Sequence, residues 1–376
     1  MKVTVSDNLI VGAGVNGGNG FYEVRMNGGS MMPACQQREN NWNAGGWANI
    51  YAFPFATICL TDKLPAGLYE FETWVYSISG QAEVGANAPQ ALVFVEEIPL
   101  TTNYGFSNTG SVFWTFSTTF QRAPGRTVTF TKKAKDTLLR LTLADTFRAG
   151  VHQNGADGTV MVRIDDLDTT CYTSKYDAQG AGGNFHDPFV MTCVLSGVTA
   201  GPHTFSVWIR ADSGGETYLG WERSYPLLMV EEVAPQNITY NNNSSVSGEL
   251  GGDWAGVSGR WLLHSVSAAG KTLRVTYSDT FRSAVNCNGH WGLYQLYVDN
   301  QPTNCINGQH AYNSGSSAQN HHHPVHQVCL VKNLSPGPHI FSIYSTTRQP
   351  WDGKTCGTNY FGRRQGQPLL MLEELP

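Results

Sequence analysis

The sequence has little charge and no long apolar run. Charged residues are only 14% of the 376 residues, the formal net charge is −5, and no run of Lys or Arg exceeds a pair. A surface that follows a nucleic-acid backbone needs clustered positive charge, so we expect no nucleic-acid partner. No apolar stretch approaches the length of a membrane-spanning helix, so we expect no membrane insertion. The first residues, Met1 to Asp7, lack the apolar core of a secretory signal.

Catalytic and cofactor motifs are also missing. The sequence contains no G-x-S-x-G, no H-E-x-x-H, no phosphate-binding loop and no dinucleotide fingerprint. We therefore predict a protein that is not an enzyme, with no catalytic residue, no metal site and no cofactor. A glycan-cleaving enzyme with a carboxylate pair between modules remains a minor alternative.

The sequence repeats itself at intervals of about 135 residues. Each copy ends in an apolar block followed by Glu-Glu, and a Gly turn followed by a strand-like segment precedes each block. The blocks are residues 91–97, 227–232 and 369–374, and the turns begin at Pro65, Ala200 and Pro336. Repeats of this length are whole domains, because each can bury its own core. We predict three modules: residues 1–100, 101–235 and 236–376.

Strand patterns dominate each copy. Leu273, Val275 and Tyr277 alternate with polar residues, and this period of two predicts strands with one face on a core and one face in solvent. Turns rich in Gly, Asn and Asp separate such segments. The predicted fold class is all-β, with three tandem antiparallel β-sandwich modules that are jelly-roll-like.

The first copy starts later in the repeat than the other two. Copies two and three carry roughly 35 more residues before the strand that ends in Ser-Asp or Ala-Asp. Two interpretations are open: module 1 has fewer strands, or a strand from a neighbouring chain completes it.

The eight cysteines follow the repeat. Three pairs occupy equivalent positions, and the remaining two cysteines both fall in module 3. We predict disulfides, which imply an oxidising destination, with buried free thiols as the alternative. The candidates are Cys35 with Cys59, Cys171 with Cys193, Cys305 with Cys329, and Cys287 with Cys356.

The end of each copy resembles the closing hairpin of known β-sandwich modules. The pattern runs from Pro336-Gly337-Pro338-His339 to the final Glu-Glu block. It resembles jelly rolls of the C1q and tumour-necrosis-factor type that occur in phage tail fibres and in virion appendage or decoration proteins. That resemblance implies a structural role, with receptor or glycan contact.

Aromatic residues collect in the loop before the terminal block in copies two and three, whereas the same loop of copy one has none. Such loops on a rigid scaffold are natural recognition surfaces, although the same aromatics can instead pack beneath their own loop or against the next module. The recognition candidates are Tyr218, Trp221, Tyr225, Trp351, Tyr360 and Phe361.

Histidines and aspartates form the remaining candidate sites. We interpret His321, His322, His323 and His326 as an exposed polar loop in preference to a metal site. We expect the recurring Asp7, Asp145 and Asp279 to cap turns at a strand end. We interpret Asp165, Asp166 and Asp168 as a solvated turn in preference to a calcium site.

Together these patterns predict a structural protein of a virion surface, such as a capsid decoration, spike or tail-fibre component, located on the virion or otherwise outside the cell. Its expected partners are other virion proteins or copies of itself, with a possible cell-surface glycan. The alternative is a secreted carbohydrate-binding or adhesive protein.

Overall fold

The computed structural model describes residues 1–375 except 14–17, 42–51, 62, 85–90, 152–155, 178–185, 222–223, 244–246, 251–252, 286–289, 312–321, 349–356 and 363–365. The described residues form 27 strands and one short 3-10 turn, Pro235–Asn237. All of the strand pairings are antiparallel, so the all-β prediction is confirmed.

The strands fall into three sets, which we name by the predicted module that holds them. Module 1 contains β1 (Lys2–Ala13), β2 (Gly18–Met26), β3 (Gly29–Asn41), β4 (Ala52–Leu60), β5 (Phe71–Ser79), β6 (Gln81–Val84) and β7 (Leu92–Glu96). Module 2 contains β8 (Tyr104–Ser107), β9 (Phe113–Thr115), β10 (Gln121–Lys132), β11 (Leu138–Val151), β12 (Ala156–Ile164), β13 (Tyr172–Asp177), β14 (Asp187–Leu195), β15 (Gly201–Ala211), β16 (Glu216–Leu219) and β17 (Leu227–Val233). Module 3 contains β18 (Ile238–Asn241), β19 (Ser247–Leu250), β20 (Ala255–Val266), β21 (Thr272–Val285), β22 (His290–Val298), β23 (Gln301–Ala311), β24 (His323–Val331), β25 (Gly337–Arg348), β26 (Thr358–Phe361) and β27 (Leu369–Leu375).

Module 2 is a sandwich of two sheets. In one sheet the order is β8-β17-β11-β16-β9, and β14 pairs with the other side of β11. The facing sheet has the order β10-β15-β12-β13. Leu139, Leu141 and Leu143 of β11 point into the core between the sheets, where Val207 and Ile209 of β15 meet them.

Module 3 repeats these pairings, and module 1 repeats part of them. In module 3, β21 is the central strand and pairs with β24, β26 and β27, while β20, β25, β22 and β23 form the facing sheet. In module 1, β1 pairs with β4, β6 and β7, and the facing sheet is β3-β2-β5. The described residues of module 1 contain no counterparts of β8, β9 and β10.

The polar face of each central strand is buried, which corrects the expectation that it faces solvent. Arg274, Thr276 and Ser278 of β21 are only 4–6% exposed, although Leu273 and Val275 already fill the core on the other face. The reason lies in the tertiary arrangement, because β4, β14 and β24 of the three modules pack against one another. The polar faces of the three central strands therefore line the region where the modules meet.

Candidate functional site

Three cations and three carboxylates form a closed ring where the modules meet. Each cation lies on a central strand, opposite a carboxylate on the terminal strand of the same module. The cations are Lys2, Arg140 and Arg274, and their partners are Glu96, Glu231 and Glu373.

Every cation also reaches the carboxylate of one neighbouring module. Lys2 Nζ lies 3.3 Å from Glu96 and 3.4 Å from Glu231. Arg140 binds Glu231 through two nitrogens, each at 2.8 Å, and its third nitrogen pairs with Glu373 of module 3. These contacts join module 1 to module 2 and module 2 to module 3.

The third contact closes the cycle. Arg274 binds Glu373 of its own module at 2.7 and 2.8 Å and pairs with Glu96 of module 1. Equivalent contacts therefore run from module 1 to 2, from 2 to 3 and from 3 to 1. A cyclic series of equivalent interfaces gives approximate threefold symmetry within the single chain.

The ring is buried, and its charges depend on one another. Burial lowers the pKa of Lys2, and the neighbouring Arg140 lowers it further. Burial opposes ionisation of Glu231, but Arg140 and Lys2 outweigh it and bring the pKa of Glu231 down to about 2. Removing one member of such a network leaves an uncompensated buried charge, so the ring requires all three modules in one register.

A small cavity lies beside the ring on the pseudo-threefold axis. Its volume is ≈ 20 Å³, which is room for about one water molecule. Equivalent threonines of the three central strands, Thr4, Thr142 and Thr276, line it together with the three cations. The ring and the cavity leave little space for a larger ligand on the axis.

Apolar side chains complete two of the contacts between modules. Modules 1 and 2 share a buried cluster that includes Ala56 and Ile58 on one side and Val190 and Met229 on the other. Modules 2 and 3 share the cluster of Val194, Ile238, Leu369 and Met371. These clusters supply the burial that holds the modules together, while the ion ring fixes their register.

Backbone hydrogen bonds also pass between modules at equivalent places. The loop before β17 donates from the Tyr225 N–H to the Gln36 carbonyl of module 1, at 3.1 Å. The loop before β27 donates from the Gln367 N–H to the Tyr172 carbonyl of module 2, at 3.0 Å. Gln36 and Tyr172 each follow the first cysteine of a module, so the same backbone hydrogen bond joins modules 1 and 2 and modules 2 and 3.

A second buried polar cluster lies further along the three central strands. Asp187 accepts from Lys175 Nζ at 2.6 Å and pairs with His323 Nδ1 of module 3 at 2.7 Å. These two partners lower the pKa of Asp187 even though burial opposes its ionisation. Glu39 of module 1 faces the same cluster, and burial together with Asp187 raises the pKa of its carboxyl.

The histidine segment is part of this interface, not an exposed loop as the sequence indicated. His322, His323 and His326 are 2–3% exposed. His322 forms a two-way backbone bridge with Tyr176 of module 2, at 3.1 Å in each direction. His321 lies outside the described residues. The segment is buried because β24 packs against strands of the two other modules. A local sequence pattern does not show such packing.

The recurring aspartates differ from the turn caps that the sequence indicated. Asp145 lies in the middle of β11, where it accepts from the Thr146 N–H at 2.8 Å and from Arg126 Nε at 2.5 Å. Asp279 makes the same ion pair with Arg260 at 2.9 Å. Both arginines come from the facing sheet, so each pair joins the two sheets of one sandwich.

Asp165 serves as a turn residue, as expected. It adopts a positive φ of 52° and accepts from the Thr204 N–H at 2.8 Å and from His203 Nδ1 at 2.7 Å. Asp299 and His339 repeat this contact at 2.6 Å in module 3. Asp166 continues the turn, and Asp168 pairs with Arg163 at 2.6 Å.

Most of the described aromatic candidates pack against other side chains of the protein. Trp221 lies against His186 with ring centroids 3.8 Å apart, and Arg38 of module 1 lies above its ring. Tyr218 lies beside Trp114, with tilted rings whose centroids are 6.1 Å apart, and Arg148 lies above the Tyr218 ring. Tyr225 remains 43% exposed.

In module 3, Phe361 is fully buried against Phe281 and Tyr294, so it belongs to the core and is not available to a ligand. Tyr360 carries Arg282 above its ring, and Trp351 lies outside the described residues.

Two of the cysteine pairs are disulfides. Cys35 bonds Cys59, and Cys171 bonds Cys193. The equivalent Cys305 and Cys329 are buried thiols in contact with each other. Cys287 and Cys356 lie outside the described residues. The two bonds fit a protein outside the reducing interior of a cell.

Within the described ranges, no helix is long and apolar enough to cross a membrane. The described residues also contain no group of three or more His, Cys, Asp or Glu side chains placed to hold a metal ion.

Comparison with known proteins gives no family. No protein-family model matches the chain, and no curated protein matches it. Among solved structures, the chain is similar to the insecticidal delta-endotoxin Cry8Ea1 of Bacillus thuringiensis, with 8% identity and a TM-score of 0.19. The match covers 98% of this chain and 53% of the toxin, so the chain spans about half of the toxin's length. A likeness at this TM-score carries no argument about fold or function.

Proposed function

We propose that this chain is a structural protein of a virion surface that acts through assembly with other proteins and has no catalytic activity of its own. The observation that carries the proposal is the closed ring of three modules. Homotrimers are common where fibres, spikes and decorations are built on threefold positions, and a single chain with internal threefold symmetry fits the same position.

The contents of the ring support assembly over chemistry. Its buried charges neutralise one another, and its axial cavity of ≈ 20 Å³ is too small for a substrate. The charged groups of the second cluster, such as Lys175 and Asp187, are likewise paired and buried. These groups serve the contacts between modules.

The test is sedimentation of native source material, followed by mass spectrometry of the particle and soluble fractions. We expect the chain in nuclease-resistant particles at one copy per threefold position. Light scattering of the isolated chain should give a monomer, because the three interfaces are used within the chain. Recovery only from the soluble fraction would reject the virion role, and three copies per threefold position would reject the single-chain trimer.

A secreted carbohydrate-binding or adhesive protein is the second candidate, and exposed aromatic residues favour it. Trp114 and Phe116 of module 2 are 49% and 56% exposed, and their rings meet edge to face at 5.2 Å. Tyr218 lies beside Trp114 and carries Arg148 above its ring. Aromatic faces next to a cationic group form a natural platform for a sugar ring.

Glycan-array binding tests the second candidate. If the platform binds sugar, Trp114→Ala should abolish binding, while Trp261→Ala should not, because Trp261 is a similarly exposed tryptophan on module 3. Equal binding by both variants and the parent chain would reject this platform as a glycan site.

A further inference from the structure

Module 1 presents an open side that modules 2 and 3 do not. In module 2, β10 pairs along β15, and in module 3, β20 pairs along β25. The counterpart of β15 and β25 in module 1 is β5. Among the described residues, β5 pairs with β2 alone. One edge of β5 therefore offers its backbone groups to a further strand.

Core positions on this side of module 1 are more exposed than their counterparts in modules 2 and 3. Val84 of β6 is 39% exposed, whereas its counterparts Leu219 and Phe361 are fully buried. These three residues occupy one register position, since they lie opposite Leu9, Phe147 and Phe281 on the central strands.

Terminal strand β7 shows the same difference. Val93 is 40% exposed, whereas its counterparts Leu228 and Leu370 are 1–2% exposed. Val75 of β5 is half-buried, and its counterpart Ile209 is fully buried. The core of module 1 is thus open along one side, from β5 to β7.

The other modules show what covers this position. The inward side chains of β10 that fill it are Ala123, Val128 and Phe130, and those of β20 are Val257, Leu262 and Val266. Each of these strands also brings an arginine to the central aspartate, Arg126 to Asp145 and Arg260 to Asp279. Asp7 holds the equivalent register position in module 1.

The second glutamate of each terminal block adds to the pattern. Glu232 accepts from the N–H groups of Lys133 and Ala134, in the turn that follows β10. Glu374 accepts from the Ser267 N–H, in the turn after β20. In module 1 the equivalent Glu97 is exposed, so the acceptor is present at the place where such a turn would lie.

We propose that module 1 binds an extended segment of a second protein, which pairs along β5 and fills the open core in the way that β10 and β20 do. The segment would alternate inward apolar residues with outward polar ones, as β10 and β20 do. Such strand addition combines backbone hydrogen bonds with side-chain pockets. This proposal rests on the proposed assembly function, because the protein that supplies the segment would be a neighbour of this chain in the virion.

The test uses the complete chain and a labelled peptide with the sequence of β10, Gln121–Lys132. We expect saturable one-to-one binding in fluorescence anisotropy and slower amide exchange across Phe71–Ser79. Substituting Phe130→Asp in the peptide should weaken binding by at least about tenfold, because that side chain points inward. The matched control is Thr129→Asp, which changes an outward position and should bind like the parent.

Three results would overturn the proposal. The first is equal binding by a scrambled peptide, and the second is binding without protection of β5. The third is protection only when residues 101–137 are fused before Met1, which would show that the face accepts an attached segment and not a second protein. Because the assay uses the isolated chain, its failure is separable from absence of the chain in particles.

Discussion

At the scale of single residues, His203 and His339 account for the recurring Gly-Pro-His sequence. His203 bonds Asp165 through Nδ1 and reaches the Thr199 carbonyl at 3.0 Å through Nε2. With both nitrogens next to acceptors, the imidazolium form is favoured, and the hydrogen bond that His203 donates to Asp165 is the main cause that raises the pKa of His203. His339 repeats the arrangement with Asp299.

Replacing His203 should therefore destabilise the protein in a pH-dependent way. A raised pKa in the folded state gives stability that is complete below the ordinary value of 6.5 and fades as the pH rises through the folded value. His203→Asn should cost up to about 1 kcal/mol at pH 5.5 and less at pH 8.5, since Asp165 is partly exposed. Urea unfolding at the two pH values measures this, with Asp165→Asn as the partner control. A larger loss at the higher pH would contradict the expected protonation state.

Glu39 should oppose folding at neutral pH. Burial raises the pKa of its carboxyl, and Gln309 occupies the equivalent position in module 3. A raised acid pKa costs stability once the pH exceeds the ordinary value of 4.5, because only the unfolded chain then ionises freely. Glu39→Gln should therefore raise the melting temperature at pH 7.5 and change it little at pH 4. Destabilisation at pH 7.5 would show that the Glu39 charge is needed beside Lys175.

At the scale of elements, β10 and β20 each join two sheets through one arginine. Arg126→Met should destabilise module 2 by about 3–5 kcal/mol, because it leaves Asp145 buried without its ion-pair partner. The matched control is Arg122→Met on the same strand, whose contact with Asp166 is 4.0 Å long and exposed, and which should cost well under 1 kcal/mol. Denaturant unfolding of both variants measures the difference, and equal losses would show that the pair does not matter.

Sequence patterns located many of these elements but not their surroundings. Alternation in Leu273, Val275 and Tyr277 correctly indicated β21. The strands predicted after the Gly turns correspond to β15 and β25, which already begin at the turn glycines, Gly201 and Gly337. The intervening Arg274 fits a solvent-facing position equally well in a sequence. Only the packing of three strands from three modules buries it.

At the scale of the whole molecule, the ion ring makes the register of the modules sensitive to each of its members. Glu231→Gln should destabilise the chain by about 3–5 kcal/mol at pH 7, because Lys2 and Arg140 lose their shared carboxylate. Glu97→Gln is the control, since Glu97 is exposed. Calorimetry should show a single unfolding transition for the parent chain and for Glu97→Gln. For Glu231→Gln it should show separate unfolding transitions. An unchanged profile would mean that apolar contacts alone hold the ring.

The ring also predicts acid unfolding. The pKa of Glu231 is lowered to about 2 in the folded state, below its ordinary value of 4.5. Its contribution is therefore present above pH 4.5 and is lost as the pH falls toward 2. Circular dichroism during acid titration should show the parent chain unfolding in this window, with Glu231→Gln already weakened above it. An acid transition of equal size in both chains would place the sensitivity elsewhere.

Strands, the three copies and the equivalent cysteine pairs could be predicted from the sequence, because they depend on local alternation, turn residues and repetition. The recurring Leu-Arg and Glu-Glu segments were visible too, yet their pairing across modules was not, since a charge in a sequence carries no information about its distant partner. Only the packing of the modules brings Arg140 to Glu373 and buries the histidines of β24. Ring closure depends on how whole sandwiches pack, and that packing is set by surfaces assembled from segments far apart in the chain.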